Sequence, residues 1–132
     1  MNQQDEEILV MDYFRNHFED FPKGKLIKSE SPDFILKVSH KKFLGIELTR
    51  LDDQAPSLKE RIQKTLENKN QKIHQYQNPG FYAFWLIIYA DCLEESKTFN
   101  IQNKLNIWKF ISKFDCVFLF DLFEKRIFQI LF

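Results

Sequence analysis

Cysteine is scarce in this chain, and neither sign of charge dominates it. The two cysteines, Cys92 and Cys116, lie outside any Cys-x-x-Cys or Cys-x-x-His spacing, which excludes the usual zinc-binding motifs. Both lie beside apolar segments, so we expect reduced thiols in a cytoplasmic protein. Lys and Arg number 19, as do Asp and Glu. No overall field therefore steers the protein to nucleic acid, and any basic binding surface must be local.

Long hydrophobic runs are also missing. The longest, at residues 81–90, is too short to span a bilayer as a helix. The first seven residues are polar and acidic, which argues against a signal peptide. We therefore expect no membrane partner. At 132 residues and 44% hydrophobic composition, the chain is long and apolar enough to form one domain over residues 1–132.

Apolar periodicity predicts three helices and six strands. The helices are expected at residues 5 to about 19, from 57 to a break at 78–80, and at 101–112. The strands are expected at residues 25–28, 33–38, 43–49, 81–90, 116–122 and 127–132, with a polar loop at 91–100. The order α-β-β-β-α-β-α-β-β predicts an α/β fold in which helices cover the faces of a mixed sheet.

Two acidic residues stand among apolar neighbours in adjacent predicted strands. Asp33 follows Pro32 at the start of one strand, and Glu47 lies inside the next. Acidic side chains are disfavoured in strands and are rarely buried without a partner. A hairpin closed at residues 39–42 would bring Asp33 near Glu47 and Thr49, where the carboxylates could share Mg²⁺ or Mn²⁺. Alternatively, Asp33 merely starts a strand and Glu47 is an edge residue facing water.

The long second helix carries a lysine on its apolar side. At about 100° per residue, one stripe is formed by Leu58, Ile62, Leu66, Ile73 and Tyr76. Lys69 falls near the centre of this stripe and Lys72 on its border. A lysine there is costly unless it snorkels to solvent or meets an acid. Either Lys69 snorkels at the sheet edge, or the helix directs Lys69 or Lys72 at Asp33 and Glu47 to stabilise charge on a phosphate.

These features resemble the PD-(D/E)XK nuclease superfamily, the fold of many restriction endonucleases and Holliday-junction resolvases. Pro32-Asp33 matches the PD element, and Glu47 matches the first position of (D/E)XK. The family's α-β-β-β-α-β core order matches residues 5–90. Lys72-x-x-x-Tyr76 is similar to the Gln-x-x-x-Tyr feature of the exonuclease-like branch. Thr49 departs from the pattern, because it stands where the family carries its catalytic lysine.

The resemblance implies a restriction-endonuclease-like mixed sheet and a Mg²⁺- or Mn²⁺-dependent endonuclease or exonuclease acting on nucleic acid, with DNA as the expected substrate. Its metal ligands would be Asp33 and Glu47, with Glu7 as a further ligand and Glu6 as the rival of Glu7. The helix would supply the lysine missing at position 49, from Lys69 or Lys72. The alternative is a catalytically inactive module that binds nucleic acid or a protein partner.

Further contacts are expected around this site. The residues proposed to touch substrate are Thr49, Tyr76 and His40, the last of which lies in the hairpin turn. The C-terminal strand is apolar, and an apolar edge strand invites pairing with another copy. A homodimer is therefore a further expectation.

Overall fold

The computed structural model describes residues 2–76, 80–95 and 100–132. Its helices are α1 (Gln3–His17), α2 (Leu58–Asn70) and α3 (Ile101–Ile107), with a 3₁₀ turn at Ile73–Tyr76. Its strands are β1 (Lys25–Lys28), β2 (Phe34–Ser39), β3 (Lys42–Arg50), β4 (Phe81–Ala90), β5 (Cys116–Asp121) and β6 (Arg126–Ile130). The predicted α/β class is confirmed. Within the described ranges, no helix is long and apolar enough to cross a membrane.

The six strands form one mixed sheet in the order β1-β2-β3-β4-β5-β6. Antiparallel pairing joins β1, β2 and β3 and also joins β5 to β6, whereas β4 is parallel to both of its neighbours. Parallel neighbours need a crossover connection. The crossovers contain α2 between β3 and β4 and α3 between β4 and β5. The expected mixed sheet with helices on its faces is confirmed.

Two apolar cores lie on opposite faces of the sheet. On one face, Phe14 of α1 packs in a cluster with residues of β2 to β5. On the other face, Ile62 of α2 packs with residues of α3 and of β4 to β6. The central strand β4 contributes Ile87 to the first core and Leu86 and Ile88 to the second. The prediction that this apolar run is buried on both faces is confirmed.

The second helix is shorter than its periodicity predicts. It ends at Asn70, and residues 71 and 72 form a turn before the 3₁₀ turn. The expected single helix over this segment is therefore wrong, and the expected break at residues 78 and 79 lies outside the described residues. The local sequence explains the early end, because Asn68 and Asn70 favour turns over helix, and the Asn70 side chain donates to the Ile111 carbonyl and accepts from the Lys113 N–H. Tyr76 reaches the core through the 3₁₀ turn.

The third helix is also shorter than predicted. It ends at Ile107 instead of residue 112, and the extended backbone of Trp108 stops it. A continuing helix would carry Phe110 about 180° around from Ile101, and leaving the helix allows Phe110 to join the core. Ile111, which the predicted helix at residues 101–112 would include, lies beyond the end of α3 and is 86% exposed.

The sixth strand lies at an edge of the sheet, as the C-terminal pattern predicts. The side chain of Gln102 in α3 donates a hydrogen bond to the Gln129 carbonyl at 2.8 Å. This contact occupies one of the backbone acceptors that an added strand would use. Pairing of this edge with a second copy stays a prediction.

Gly45 of β3 provides the first test of the packing. An added Cβ would lie 2.6 and 2.8 Å from two carbons of the Phe84 ring and 3.1 Å from Pro32 Cγ. We expect Gly45→Ala to lower the free energy of unfolding by about 1–3 kcal/mol through overpacking, as measured by urea denaturation. In a Phe84→Leu background, which removes the ring, the same change should cost clearly less. Equal costs in both backgrounds would contradict the assigned clash.

Candidate active site

The hairpin of β2 and β3 places the two carboxyls of the site side by side. Phe34 pairs with Ile46 across the hairpin, so Asp33 and Glu47 are adjacent. The Asp33 N–H donates to Glu47 Oε1 at 3.2 Å. The N–H of Leu48 donates to Asp33 Oδ2 at 2.8 Å. This is the proximity that the predicted hairpin implies.

Glu47 is enclosed by its surroundings. It is only 6% exposed, so the alternative of a water-facing edge residue is wrong. Its strand pairs with β2 on one side and with β4 on the other. On the same face of β3, two residues earlier, Gly45 lies beneath Pro32 and Phe84. The missing side chain at position 45 makes room for these rings beside the carboxylate.

The end of α2 supplies a cation to Glu47. Lys69 Nζ lies 3.2 Å from Glu47 Oε2, and the two side chains are 19% and 7% exposed. The Tyr76 hydroxyl donates a hydrogen bond to the same oxygen. Lys72 is exposed and, within the part of the chain that the structure describes, its side chain has no ion pair or hydrogen bond. Of the two candidate lysines, the structure therefore brings only Lys69 to the carboxyls.

Burial changes the acidity of these groups. Burial, together with a hydrogen bond to Asp33 and its charge, raises the pKa of Glu47 to about 7 from an ordinary 4.5, although Tyr76 and Lys69 oppose the rise. Burial also raises the pKa of Asp33. The pKa of Tyr76 is raised by its burial and by its hydrogen bond to Glu47, so Tyr76 remains a proton donor. Carboxyls perturbed in this way cluster at functional sites.

The first helix adds a third carboxyl. Glu7 is 7% exposed, and a hydrogen bond that the protonated Asp33 donates to it, together with the charge of Glu7, contributes to the raised pKa of Asp33. Glu6 points elsewhere, because it pairs with Arg50 at 2.8 Å and accepts from the Tyr89 hydroxyl at 2.7 Å. Between the two rivals from the sequence, Glu7 is therefore the acid that reaches the site.

A second lysine lies here that sequence reasoning did not single out. Lys28 Nζ donates to the carbonyl of Ser29 at 2.7 Å and to that of Asp33 at 3.1 Å. It also lies 3.8 Å from Glu7 Oε1 and 5.0 Å from the ring centre of Phe34. Strand alternation alone does not reveal this role, because it depends on the register that pairs Lys28 with Phe34.

Two open cavities border Glu7, and the smaller one also borders Asp33. One of about 440 Å³ is lined in part by Glu7, Thr49 and Lys69. The other, of about 270 Å³, is lined in part by Glu7, Lys28 and Asp33. Thr49 therefore lines the same cavity as Lys69. Its hydroxyl donates a hydrogen bond to the Arg50 carbonyl at 3.4 Å. These cavities give a ligand access to both sides of Glu7.

Two other predicted contact residues lie differently. Tyr76 is 3% exposed, so its hydroxyl serves Glu47 and does not face solvent. His40 is exposed in the hairpin turn, seven residues from Asp33 and about 20 Å away at the other end of β2. The structure does not bring His40 to the carboxyls.

The donor atoms suit a hard cation in their chemistry. Asp33, Glu47 and Glu7 offer carboxylate oxygens, the donors that Mg²⁺ and Mn²⁺ prefer. Both oxygens of Glu47 already accept hydrogen bonds. Among residues 2–76, 80–95 and 100–132, no group of three His, Cys, Asp or Glu side chains is placed to hold a metal ion. A cation would therefore require Glu47 to exchange at least one of its present partners.

Titration of Glu47 distinguishes the role of Lys69 from that of Lys72. Lys69→Met should raise the Glu47 pKa above its value of about 7, because a nearby positive charge favours the carboxylate. Lys72→Met should leave it unchanged. Carboxyl-carbon NMR titration of the two variants and the wild type measures this directly. Equal pKa shifts in the two variants would contradict the assignment of Lys69.

The raised pKa of Glu47 also predicts how stability depends on pH. Because the folded protein holds this proton more tightly than the unfolded chain, the stabilisation is complete below about pH 4.5 and is lost as pH rises through about 7. Glu47→Gln removes this loss. From pH 5 to pH 8, the free energy of unfolding should therefore shift in favour of the variant by about 1–3 kcal/mol. Urea denaturation at both pH values measures the shift, and the exposed Glu67→Gln should show none.

A buried carboxyl beside a half-buried one, with a lysine against it, can bind a cation or exchange a proton near neutral pH. This chemistry is inferred from the residues and their geometry alone. No family model matches the chain, and no curated protein or solved structure matches it either.

Proposed function

We propose that the protein is a metal-dependent nuclease of the PD-(D/E)XK type, which hydrolyses phosphodiester bonds in nucleic acid, with DNA as the expected substrate. One observation supports this most: a buried Glu47 beside a half-buried Asp33, with Lys69 Nζ 3.2 Å from Glu47. Burying carboxyls next to each other is unfavourable. A purely structural hairpin would not need them, whereas a site that binds a cation and a phosphate would.

Asp33 and Glu47 would hold the Mg²⁺ or Mn²⁺ ion, with Glu7 as the adjoining carboxylate. A cation held there would lower the pKa of a bound water and neutralise charge on the scissile phosphate. The donor chemistry supports this assignment. The raised pKa values of Asp33 and Glu47 also support it, because a dication would offset the burial cost of the carboxylates and the repulsion between them.

Lys69 takes the place of the lysine that the family carries at the position of Thr49. Its ammonium group lies at the edge of the cavity that Thr49 also lines, so it can reach a phosphate oxygen or orient a water. Its side chain is 19% exposed, which leaves it accessible to substrate. Because α2 carries this lysine, position 49 needs no cation.

Tyr76 and Lys28 are positioning residues in this scheme. The Tyr76 hydroxyl fixes the orientation of the Glu47 carboxylate. Lys28 donates hydrogen bonds to the carbonyls of Ser29 and Asp33, which fixes the backbone there, and it offsets the charge of Glu7. Both contacts hold the carboxyls in place before a cation binds, which is the kind of preorganisation that catalysis requires.

Cleavage assays test the proposal. Wild type, Glu47→Gln and Lys69→Met are incubated with single-stranded, duplex and branched DNA and RNA in Mn²⁺ and in EDTA. We expect cleavage by the wild type in Mn²⁺ only, and a loss of about 100-fold or more in each variant. The exposed Lys113→Met is the matched lysine control and should cleave like the wild type. Cleavage in EDTA, or undiminished cleavage by Glu47→Gln, would refute the mechanism.

A second candidate is a catalytically inactive module that binds nucleic acid. It is favoured by the departure at Thr49 and by the full occupation of both Glu47 oxygens by protein donors. Binding without cleavage on every substrate would support this candidate over the nuclease.

Thermal unfolding with and without Mn²⁺ tests cation binding independently of cleavage. At about 100 times the dissociation constant, a cation that binds the folded state alone stabilises it by about 2.7 kcal/mol. We therefore expect the wild-type midpoint to rise with MnCl₂ and the rise to disappear in Asp33→Asn. The exposed Asp53→Asn should keep it. A rise of equal size in Asp33→Asn would place the cation elsewhere.

A further inference from the structure

The sheet face that carries Asp33 and Glu47 continues as an open surface over β1 and β2. Among the described residues, the core beneath α2 draws on β4, β5 and β6 but on neither β1 nor β2. Ile27 on this open face is 40% exposed, whereas Phe34 on the opposite face is 4% exposed. The helix therefore leaves half of this sheet face open to a ligand.

Two lysines are opposed on this open face. Lys25 of β1 pairs directly with Lys37 of β2, so both side chains lie on the same face at the close spacing of cross-strand partners. Both are exposed, and within the described ranges neither forms an ion pair. Like charges directly opposite each other destabilise a sheet. The repulsion between Lys25 and Lys37 is therefore unfavourable in the free protein, and a bound anionic partner would relieve it.

The surrounding segment is basic although the whole chain is neutral. Residues 21–46 contain two acidic residues, Glu30 and Asp33, against six lysines: Lys23, Lys25, Lys28, Lys37, Lys41 and Lys42. The rest of the chain is correspondingly acidic. A neutral protein that binds a polyanion must concentrate its positive charge locally, and this strand-rich segment does so.

The lysine pair and the carboxyls lie along one line on the sheet. Side chains four residues apart on a strand share a face, so Glu47 of β3 faces the same way as Phe43, which pairs with Lys37 of β2. The separation of Lys37 from Glu47 along the strands is about 13 Å at roughly 3.3 Å per residue. Half-buried Ile35 lies between them, and Phe43 pairs with Lys37 on the next strand. The surface between the charges is thus apolar and able to contact sugars and bases.

We propose that Lys25 and Lys37 bind the phosphate backbone of the same nucleic-acid strand whose phosphodiester bond reaches Asp33 and Glu47. The inference rests on the proposed function and adds the path of the substrate across the protein. Lysine binds phosphate as a point charge, so this contact gives affinity without sequence preference. An acidic polypeptide could also pair with the two lysines. The adjoining carboxyls would repel its carboxylates unless these also served as ligands of a cation bound at the site.

Binding measurements on matched lysine variants test the path. Fluorescein-labelled single-stranded and duplex oligonucleotides are titrated by anisotropy in EDTA, in a Glu47→Gln background that prevents cleavage. We expect Lys25→Ala/Lys37→Ala to weaken binding about tenfold or more at about 50 mM salt. The slope of log affinity against log salt should fall by about 1.4 for a single strand and by about 1.8 for a duplex. Lys109→Ala/Lys113→Ala removes the same charge from exposed positions beyond α3 and should change neither.

The outcomes separate this surface from the proposed chemistry. If the wild type cleaves and the Lys25/Lys37 variant keeps both affinity and salt slope, the path is refuted and the nuclease stands. If Lys25→Ala/Lys37→Ala and Lys109→Ala/Lys113→Ala lose affinity equally, the surface is refuted as a specific contact. If the protein neither binds nor cleaves, but the lysines capture an acidic polypeptide, both proposals fail. A thermal midpoint at or above that of the parent shows that the Lys25/Lys37 variant is folded, since the change relieves repulsion.

Discussion

The burial of Glu47 beside Asp33 is the constraint on which much of this structure depends. A carboxylate in that position needs a partner for each oxygen. The Asp33 N–H serves one oxygen, and Lys69 and Tyr76 serve the other. The β2–β3 hairpin, the end of α2 and the 3₁₀ turn must therefore arrive together at one point. Removing Lys69 would leave buried charge uncompensated, which costs more than the contact itself contributes.

The strands could be predicted because their signals are local. Alternation and turn residues define β2 and β3, and the continuous run of β4 shows two-sided burial before any contact is known. The helix ends were missed because periodicity reports only which side of a helix is apolar. Asn70 ends α2 through its local turn preference. The chain leaves α3 before Phe110, which is buried in the core, and helical spacing cannot predict such a tertiary contact.

The site could be predicted as far as it depends on single elements. Hairpin closure places Asp33 by Glu47, and the apolar stripe of the second helix gives Lys69 and Lys72 as candidates, between which the structure selects Lys69. The inward face of α1 suggests Glu7 over its rival. Lys28 was missed because its contact needs the β1–β2 register, which no local pattern fixes. His40 lies in the turn as expected, at the far end of the strand that follows Asp33 and away from the carboxyls, and its contact with substrate stays a prediction.

Charge on this sheet face is divided between two groups that act separately on a polyanion. Across about 13 Å, charge interactions are largely screened, because the Debye length is about 8 Å at physiological salt. The pair of Lys25 and Lys37 therefore cannot neutralise Glu47, and Lys69 meets that need at 3.2 Å. Phosphate bound at the lysine pair would leave the carboxyls free for a cation. The neutral composition thus conceals a local pair of lysines and a carboxyl site on the same sheet face.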